Sequence, residues 1–469
     1  MYRVGGFKAV LRASATATAV FCVSGPAMAG GFEVREQSSY FQGMSFAGAA
    51  AGGSNLSSIF WNPAASAYVG PGLVTDSSYS LINVKSHINA TGLTGVPPGV
   101  DCGTFDCSVG IGGAVLVPAS YMAYRLDSRT VFALAMNSQF GSSTKPDNRE
   151  WIGQLHARSA KLFSINVNPS MSYEVAPGLS VGVGLQVQLL DLMHLRSASN
   201  LPSPTDVSNT LSGDDIALGF TAGINWRPNP GTSIGLGYRS SIKHSLDGSL
   251  KGPAVGGGSV PISADVTTPD KVTLSFAQEV SPAFRVMGTV EWTRWSALGV
   301  IPIDPVGLKL DFQWHDGWLF ALGGEWNVSP KLALRAGAAY EISPVQDPTE
   351  RLVQIPDADR VWVSVGGTYR FSETTAMNFG YSHVFVQDAT LERNLTTGTP
   401  PTLFAKTSSS VDVFSVGLTM KWGGEPGLKE ASRGTARRDQ AARREGRASR
   451  AMMPTCSAAL RRIWASRSS

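Results

Sequence analysis

Residues 411–422, VDVFSVGLTMKW, alternate between two kinds of side chain. One face of this segment is apolar and consists of Phe414, Val416, Leu418, Met420 and Trp422. The other face is small or polar and consists of Ser415, Gly417, Thr419 and Lys421. A period of two residues predicts a β-strand. Because the second face is too polar for a protein core, the pattern is typical of a membrane barrel, in which lipid covers the outside and the lumen holds small or polar groups.

The same alternation recurs along the chain, in VTLSF at 272, WLFALGGEW at 318, LALRAGAAY at 332 and VWVSVGGTY at 361. Only 16% of the 469 residues are charged, whereas about a quarter is usual for soluble proteins. After residue 29 no segment has the roughly eighteen consecutive apolar residues that a membrane helix requires. The sequence therefore predicts an all-β transmembrane barrel and excludes a helical membrane protein.

Short connections with turn-forming residues predict the number of strands. Six of them lie between strand-like segments, at 126–129, 175–178, 227–231, 280–283, 328–331 and 371–374. They join twelve strands, and one strand entering at 73–84 and one leaving at 411–422 bring the total to fourteen. Both chain ends then lie on the side of the short turns, which is periplasmic in outer-membrane barrels. The longer connections, including 85–113, 191–214, 245–269 and 387–408, should face outward.

The two ends of the chain differ from this body. Residues 1–29 combine three basic residues with an apolar run and end in Ala27-Met28-Ala29, which predicts a cleaved signal peptide and a mature start at Gly30. Residues 425–469 contain ten Arg and one Lys against four acids. They are predicted to be a disordered periplasmic extension of a barrel that spans 73–424, with a basic surface helix or a reading-frame artefact as alternatives. Since the basic charge lies in these ends, the pI of 8.8 does not indicate nucleic-acid binding.

Residues 30–72 do not alternate. They predict a short extended piece, a small-residue helix around 45–51, and a second helix at 62–66, NPAAS, where Asn62 can cap and Pro63 can occupy the first helical position. About forty small and apolar residues are too few for an independent domain. We therefore predict a hatch that fills the lumen; a flexible periplasmic leader is the alternative.

Cys102 and Cys107 are separated by four residues in a predicted loop. Export favours a disulfide between them, and two unpaired surface thiols are the alternative. The pair has no neighbouring His, so no metal site and no cofactor are predicted.

The chain resembles the FadL family of outer-membrane transporters for long-chain fatty acids and other hydrophobic compounds. The resemblance covers residues 30–422 and depends on five motifs in the family's order: GGFEVREQSSYFQGMSFAG at 30–48, Asn62-Pro63-Ala64, GYRSSIKHSLDG at 237–248, EWTRWS at 291–296, and ISPVQDPTERLVQIPDADRVWVSVGGTYRF at 342–371. It implies a fourteen-stranded barrel closed by an N-terminal hatch, with Asn62, Pro63 and Ala64 in the hatch.

The resemblance also implies a mechanism of passive uptake. The ligand would be captured at the extracellular loops, the mature N-terminus near Phe32 would move within an inner site, and the ligand would leave sideways at a kink in the third strand. Here that strand is predicted at 131–140, with the gate at Phe140 and Gly141. An ordinary strand end is the alternative reading of Gly141.

Cationic side chains could hold a ligand carboxylate, because Arg offers a bidentate fork. Alternation predicts that Arg239 and Lys243 share the lumen, and His315 is a further candidate, as is Arg196. The alternative is that such charges pair with acids across the barrel.

The predicted function is therefore outer-membrane transport of fatty acids or similar compounds by a monomer surrounded by outer-membrane lipid. Uptake of aromatic or aliphatic hydrocarbons is the main alternative, and a general porin or a soluble β-sandwich adhesin is less favoured. An enzyme is not predicted, because the six His are scattered and HExxH does not occur.

Overall fold

A computed structural model describes residues 30–52, 54–201, 207–396 and 399–423. The predicted signal peptide and the whole of the predicted tail lie outside these residues. Among the described residues, no helix is long and apolar enough to cross a membrane.

The described chain forms one closed antiparallel barrel of fourteen strands. In chain order they are β1 (Leu73–Thr94), β2 (Gly113–Arg125), β3 (Thr130–Asn137 and Gly141–Thr144), β4 (Ser159–Ala176), β5 (Leu179–Ser197), β6 (Asn209–Asn229), β7 (Thr232–Arg239 and Ile242–Lys251), β8 (Ser259–Thr268 and Lys271–Ser281), β9 (Phe284–Thr293), β10 (Gly317–Asn327), β11 (Leu332–Ile342), β12 (Arg360–Arg370), β13 (Thr375–Val386 and Ala389–Thr396) and β14 (Thr399–Trp422). Each strand pairs with its neighbours in sequence, and β1 closes the barrel against β14, with Leu73 opposite Trp422. Every strand thus has two partners, which leaves no free edge in hydrocarbon.

The six short turns lie where the sequence predicts them, so the strand count is confirmed. The predicted strand lengths are wrong, because β1 extends to Thr94 rather than residue 84 and β14 begins at Thr399 rather than residue 411. Much of the predicted long connections is strand, because β1, β5, β6, β7, β8, β13 and β14 continue well beyond ten residues. Three shorter strands lie in the connections, at Ser108–Gly110, Val300–Ile303 and Leu308–Asp311.

The alternation in β14 places its faces as predicted. Phe414 and Trp422 are about half exposed on the outside, whereas Ser415 is buried. The apolar exposed side chains of the other strands form the outer surface, which suits contact with lipid acyl chains.

The described residues of the 30–72 segment lie inside the barrel as the hatch, and most of their side chains are buried. The hatch contains a one-turn α-helix, Ser39–Gln42, and two 3-10 helices, Leu56–Phe60 and Pro63–Tyr68. The predicted helix at 45–51 is wrong, since these residues form turns in which Ser45 and Phe46 have positive φ values of 49° and 66°. The predicted start of the last helix is confirmed, with Asn62 as its cap and Pro63 in its first turn.

Candidate functional site

The third strand is interrupted, and the start of the hatch occupies the interruption. β3 stops at Asn137 and resumes at Gly141. Glu33 forms an isolated antiparallel bridge with Phe140 in this gap. Two backbone hydrogen bonds flank the bridge: Val34 N to Gln139 O at 2.8 Å, and Gly141 N to Phe32 O at 2.9 Å. The first hatch residues thus form strand-like backbone hydrogen bonds with the interrupted part of β3.

An apolar cluster surrounds Phe32 inside the barrel. The Phe32 ring lies 4.8 Å from the ring of Trp295, 5.6 Å from that of Phe140 and 6.1 Å from that of Trp314, measured between centroids. The other buried members are Leu298, Ile301, Phe312, Val345 and Ile355. Because several of them come from connections between strands, this cluster joins the hatch, the loops and the break in β3. The Phe32 ring is therefore enclosed by apolar side chains.

Directly beside the aromatic cluster, Arg35 of the hatch lies among buried carboxylates of the wall. Its guanidinium is 2.5 Å from Glu291 and 3.2 Å from Glu341. Lys271 is 2.9 Å from Glu291 and also pairs with Glu33 of the hatch. Buried charges of this kind are stable only when paired, so these contacts fix the position of the N-terminal hatch.

The first two residues of the hatch complete this network. Gly30 N donates to a carboxylate oxygen of Glu341 at 3.1 Å, and Gly31 N donates to Asp357 at 3.0 Å. Asp357 also pairs with Arg360, which lies 3.9 Å from Glu341. The backbone nitrogen of Gly30 therefore points directly into a group of acids.

Burial changes the acidity of the two hatch carboxyl groups. Desolvation raises the pKa of Glu33, although Lys271 and Arg35 oppose this change. Desolvation also raises the pKa of Glu36 to about 7. Glu36 is thus a buried acid that changes charge near neutral pH.

The Asn62-Pro63-Ala64 motif fixes the far end of the hatch. The Asn62 side chain accepts from Ala64 N at 3.0 Å and donates to Ala50 O at 2.9 Å and to Ile224 O at 3.0 Å. It thus caps a helix and binds both the hatch and β6. Glycines in the wall allow the hatch to approach closely, because a Cβ atom at Gly223 would lie 2.0 Å from Asn62 and one at Gly237 would lie 1.8 Å from Trp61 O.

The predicted cationic residues are not brought together. Arg239 is buried, but it donates to Phe60 O at 2.9 Å and to Gln186, and its guanidinium stacks 4.5 Å above the Phe60 ring. It therefore anchors the hatch. Lys243 is exposed and pairs with Asp265 at 2.7 Å, so the prediction that it shares the lumen with Arg239 is wrong. The physical reason is the interruption of β7 at residues 240–241, which reverses the alternation between the two residues.

His315 and the cysteines lie in connections between strands. His315 is about half exposed, is adjacent in sequence to Trp314 of the aromatic cluster, and has Nε2 3.5 Å from the Glu350 carboxylate. Cys102 and Cys107 are joined by a disulfide in the connection after β1.

Sequence reasoning missed several parts of this site. Trp295 lies within the quoted EWTRWS motif, but its packing on Phe32 was not predicted. The partners of Arg35 come from residues 256 and 306 positions away in sequence, which no local pattern indicates.

A family model described as "Outer membrane protein transport protein (OMPP1/FadL/TodX)" matches residues 20–422. Outer membrane protein P1 of Haemophilus influenzae is 26% identical over 414 residues, which cover 79% of this chain and 89% of that protein. The long-chain fatty acid transport protein of Escherichia coli K12 is 23% identical over 431 residues, which cover 81% of this chain and 93% of that protein.

Solved structures share the fold. A FadL homologue from Pseudomonas aeruginosa has a TM-score of 0.75 at 22% identity, with 84% of this chain and all of that chain covered. The toluene transporter TbuX from Ralstonia pickettii has a TM-score of 0.60 at 15% identity, with 83% of this chain and all of that chain covered.

Proposed function

Because the chain belongs to the OMPP1/FadL/TodX family of outer-membrane transport proteins, we propose that it takes up long-chain fatty acids or similar hydrophobic compounds by passive transport across the outer membrane. Similar proteins include a long-chain fatty acid transport protein and a toluene transporter. Uptake of aromatic or aliphatic hydrocarbons is therefore the second candidate. We propose that the protein acts as a monomer.

The observation that carries this proposal is the apolar cluster around Phe32. It lies inside a barrel, combines aromatic rings from the hatch, from β3 and from a loop, and is next to the interruption of β3. Burial of apolar surface stabilises by about 25 cal/mol per Å². An alkyl chain that leaves one apolar site and enters this cluster therefore recovers much of the burial free energy that it gave up. A general porin would have no need for such a cluster.

A second apolar cluster, at the end of the barrel opposite the short turns, supports capture from outside. Its buried members are Leu211, Leu250, Ile262 and Ile303. They come from β6, β7, β8 and the connection after β9. We propose that a ligand binds first near these residues and then moves to the Phe32 site, where His315 meets its carboxylate.

The hatch acts as the gate in this proposal. If export removes residues 1–29, the nitrogen of Gly30 becomes a positively charged amino group. In that form it adds a fourth cation to Arg35, Lys271 and Arg360, opposite the four carboxylates of Glu33, Glu291, Glu341 and Asp357. Charge balance would then favour the closed position of the N-terminus.

We propose that the ligand leaves sideways through the interruption of β3 into the membrane. Residues 138–140 lie outside the regular strand. The hatch donates hydrogen bonds to the carbonyl oxygens of Ser138 and Gln139, whereas Phe140 bonds to Ser164 of β4. Movement of the N-terminus would therefore open the wall at the point next to the ligand site.

Uptake by a Gram-negative host that lacks its own fatty-acid transporter tests this function. Expression of the protein should accelerate uptake of a long-chain fatty acid, and mass spectrometry of the purified protein should identify a co-purified apolar ligand. Large, steady ion conductance in planar bilayers without hydrophobic uptake would instead indicate a porin.

A further inference from the structure

A group of amide side chains faces the lumen beside the interruption of β3. Asn137 ends the first segment of β3, and Asn166 lies directly opposite it on β4. Both are at most 4% exposed. Neither the amide nitrogen nor the amide oxygen of either side chain has a hydrogen-bond partner among the described residues.

The unpaired polar atoms continue along the lumen face of β4. The Asn168 oxygen and the Ser170 hydroxyl also have no partner among the residues that the structure describes, and both side chains are buried. Unpaired buried polar atoms are rare in proteins, because each one gives up its hydrogen bonds to water without a replacement. Their concentration on two adjacent strands therefore indicates a place that receives a hydrogen-bonding group from water or from a ligand.

Further amides extend this group toward the other side of the gap. Gln188 on β5 donates to the Gln139 side chain at 3.4 Å, and its oxygen lies 3.2 Å from Nε2 of the buried His244. The other ring nitrogen of His244 lies 3.1 Å from Asp215. Both ring nitrogens of His244 therefore have a partner. The side chains in this group that have no hydrogen-bond partner at all among the described residues are those of Asn137 and Asn166.

We infer that Asn137 and Asn166 form a polar subsite for the head group of an amphipathic ligand as it passes from the Phe32 cluster to the interruption of β3. This inference rests on the proposed function. Amides both donate and accept, and the two side chains carry no charge. The fitting head is therefore a carboxylic acid or an alcohol at the end of an alkyl chain. Once the hatch has moved, the alkyl chain itself can lie against Val131, Ala133 and Ala135 of the adjoining part of β3, which are buried in one cluster with side chains of the hatch.

The subsite gives the path a selectivity that an apolar cluster alone lacks. A site that hydrogen-bonds a substrate group discriminates strongly against the analogue that lacks it, because its polar atoms then stay unpaired. Compounds with a hydrogen-bonding head should pass faster than hydrocarbons of equal chain length.

Three probes of equal chain length test the inference: radiolabelled dodecanoic acid, dodecan-1-ol and dodecane. Asn137→Leu and Asn166→Leu keep the approximate size of the side chain and remove its hydrogen bonds. We expect each variant to lower the initial uptake of the acid and the alcohol about fivefold, with uptake of dodecane unchanged or higher. If only the acid responds, the head is a carboxyl group; if both respond, the hydroxyl group is sufficient.

Asn378→Leu is the matched control. Asn378 is also a buried lumen asparagine, but it lies on β13 and is already bonded to Thr368 at 2.6 Å and to Thr419 at 3.2 Å. This variant should leave the ratio of acid to dodecane uptake unchanged. Assembly of each variant is checked by its heat-modifiable mobility on gels, and Asn137→Ala and Asn166→Ala carry the same expectation if a leucine variant does not assemble.

Two results would overturn the inference: an equal fall for all three probes, which would indicate a change in the shape of the path, and no change for any of them, which would indicate that water alone occupies the subsite. If the wild-type protein transports none of the probes, the proposed function fails as well.

Discussion

The ring of Phe32 packs edge-on against the ring of Phe140, with centroids 5.6 Å apart and planes inclined by 61°. Phe32 belongs to the hatch, and Phe140 lies in the interruption of β3. One contact thus joins the hatch to the interrupted strand of the wall. Displacement of the N-terminus would uncover the apolar cluster and the gap together.

The N-terminal amino group should be found buried and paired. We expect the mature chain to begin at Gly30 and Glu341→Gln to accelerate labelling of its α-amine at least tenfold, because removal of one partner of a buried ion pair costs about 3–5 kcal/mol. Mass spectrometry identifies the terminus and measures labelling. Glu279→Gln, at an exposed partner of Arg285, is the control. A mature terminus elsewhere, or equal labelling of both variants, would contradict the role assigned to Glu341.

Substitutions of Arg239 and Lys243 should differ in their effect on the closure of the lumen by the hatch. Arg239→Ala removes the bonds to Phe60 and Gln186, which are worth about 1.5–3 kcal/mol for a charged donor, and should increase entry of hydrophilic antibiotics. Lys243→Ala breaks only an exposed ion pair, worth about 0–1 kcal/mol, and should leave entry unchanged. Antibiotic sensitivity at matched barrel levels measures both. Equal sensitivity of the two variants would argue against Arg239 as a hatch anchor.

Gly141 should be required for lateral release. A Cβ atom at this position would lie 3.3 Å from the Val34 side chain of the hatch, and a branched side chain would fill the gap further. We expect Gly141→Val to lower hydrophobic uptake severalfold in a correctly assembled barrel. Gly92→Val, at a strand position with no atom within 4 Å of the added carbon, is the control. Undiminished uptake would place the exit elsewhere.

Closure of the hatch should weaken as pH rises toward neutrality. Burial raises the pKa of Glu36 from 4.5 to about 7 in the closed state, so the closed state binds more protons than the open state between these values. The closed state is therefore fully favoured below about pH 4.5 and loses up to about 1.4 kcal/mol per pH unit until about pH 7. Arg35, Glu341 and Arg360 are charged groups that act on Glu36.

Bilayer conductance from pH 5 to pH 8 measures this effect. Leakage of the wild-type protein should rise with pH, and Glu36→Gln, which cannot ionise, should give a flatter profile. Identical profiles would remove Glu36 from the gate.

The barrel should be complete without the basic tail. β14 ends at Trp422, where it closes against Leu73 of β1. A chain that ends at Gly424 should therefore assemble and transport as well as the full chain. Heat-modifiable gel mobility and fatty-acid uptake measure the two properties, and failure to insert would show that residues 425–469 belong to the fold.

The sequence alone determined the strand count and the faces of uninterrupted strands. Turn chemistry at positions such as 126–129 is local, and a period of two assigns Phe414 and Ser415 to opposite faces without any knowledge of their neighbours. The start of the Pro63–Tyr68 helix was likewise predictable, because capping involves only adjacent residues.

Only the tertiary structure decided where the functional side chains lie. An interruption of two residues in β7 turned Lys243 to the outside while Arg239 stayed in the lumen, since alternation assigns a face only within one continuous strand. Likewise, the contacts of Arg35 with Glu291 and Glu341 arise because barrel closure brings distant strands around the hatch. A local pattern does not indicate such contacts, because the fold of the whole chain determines which distant residues meet.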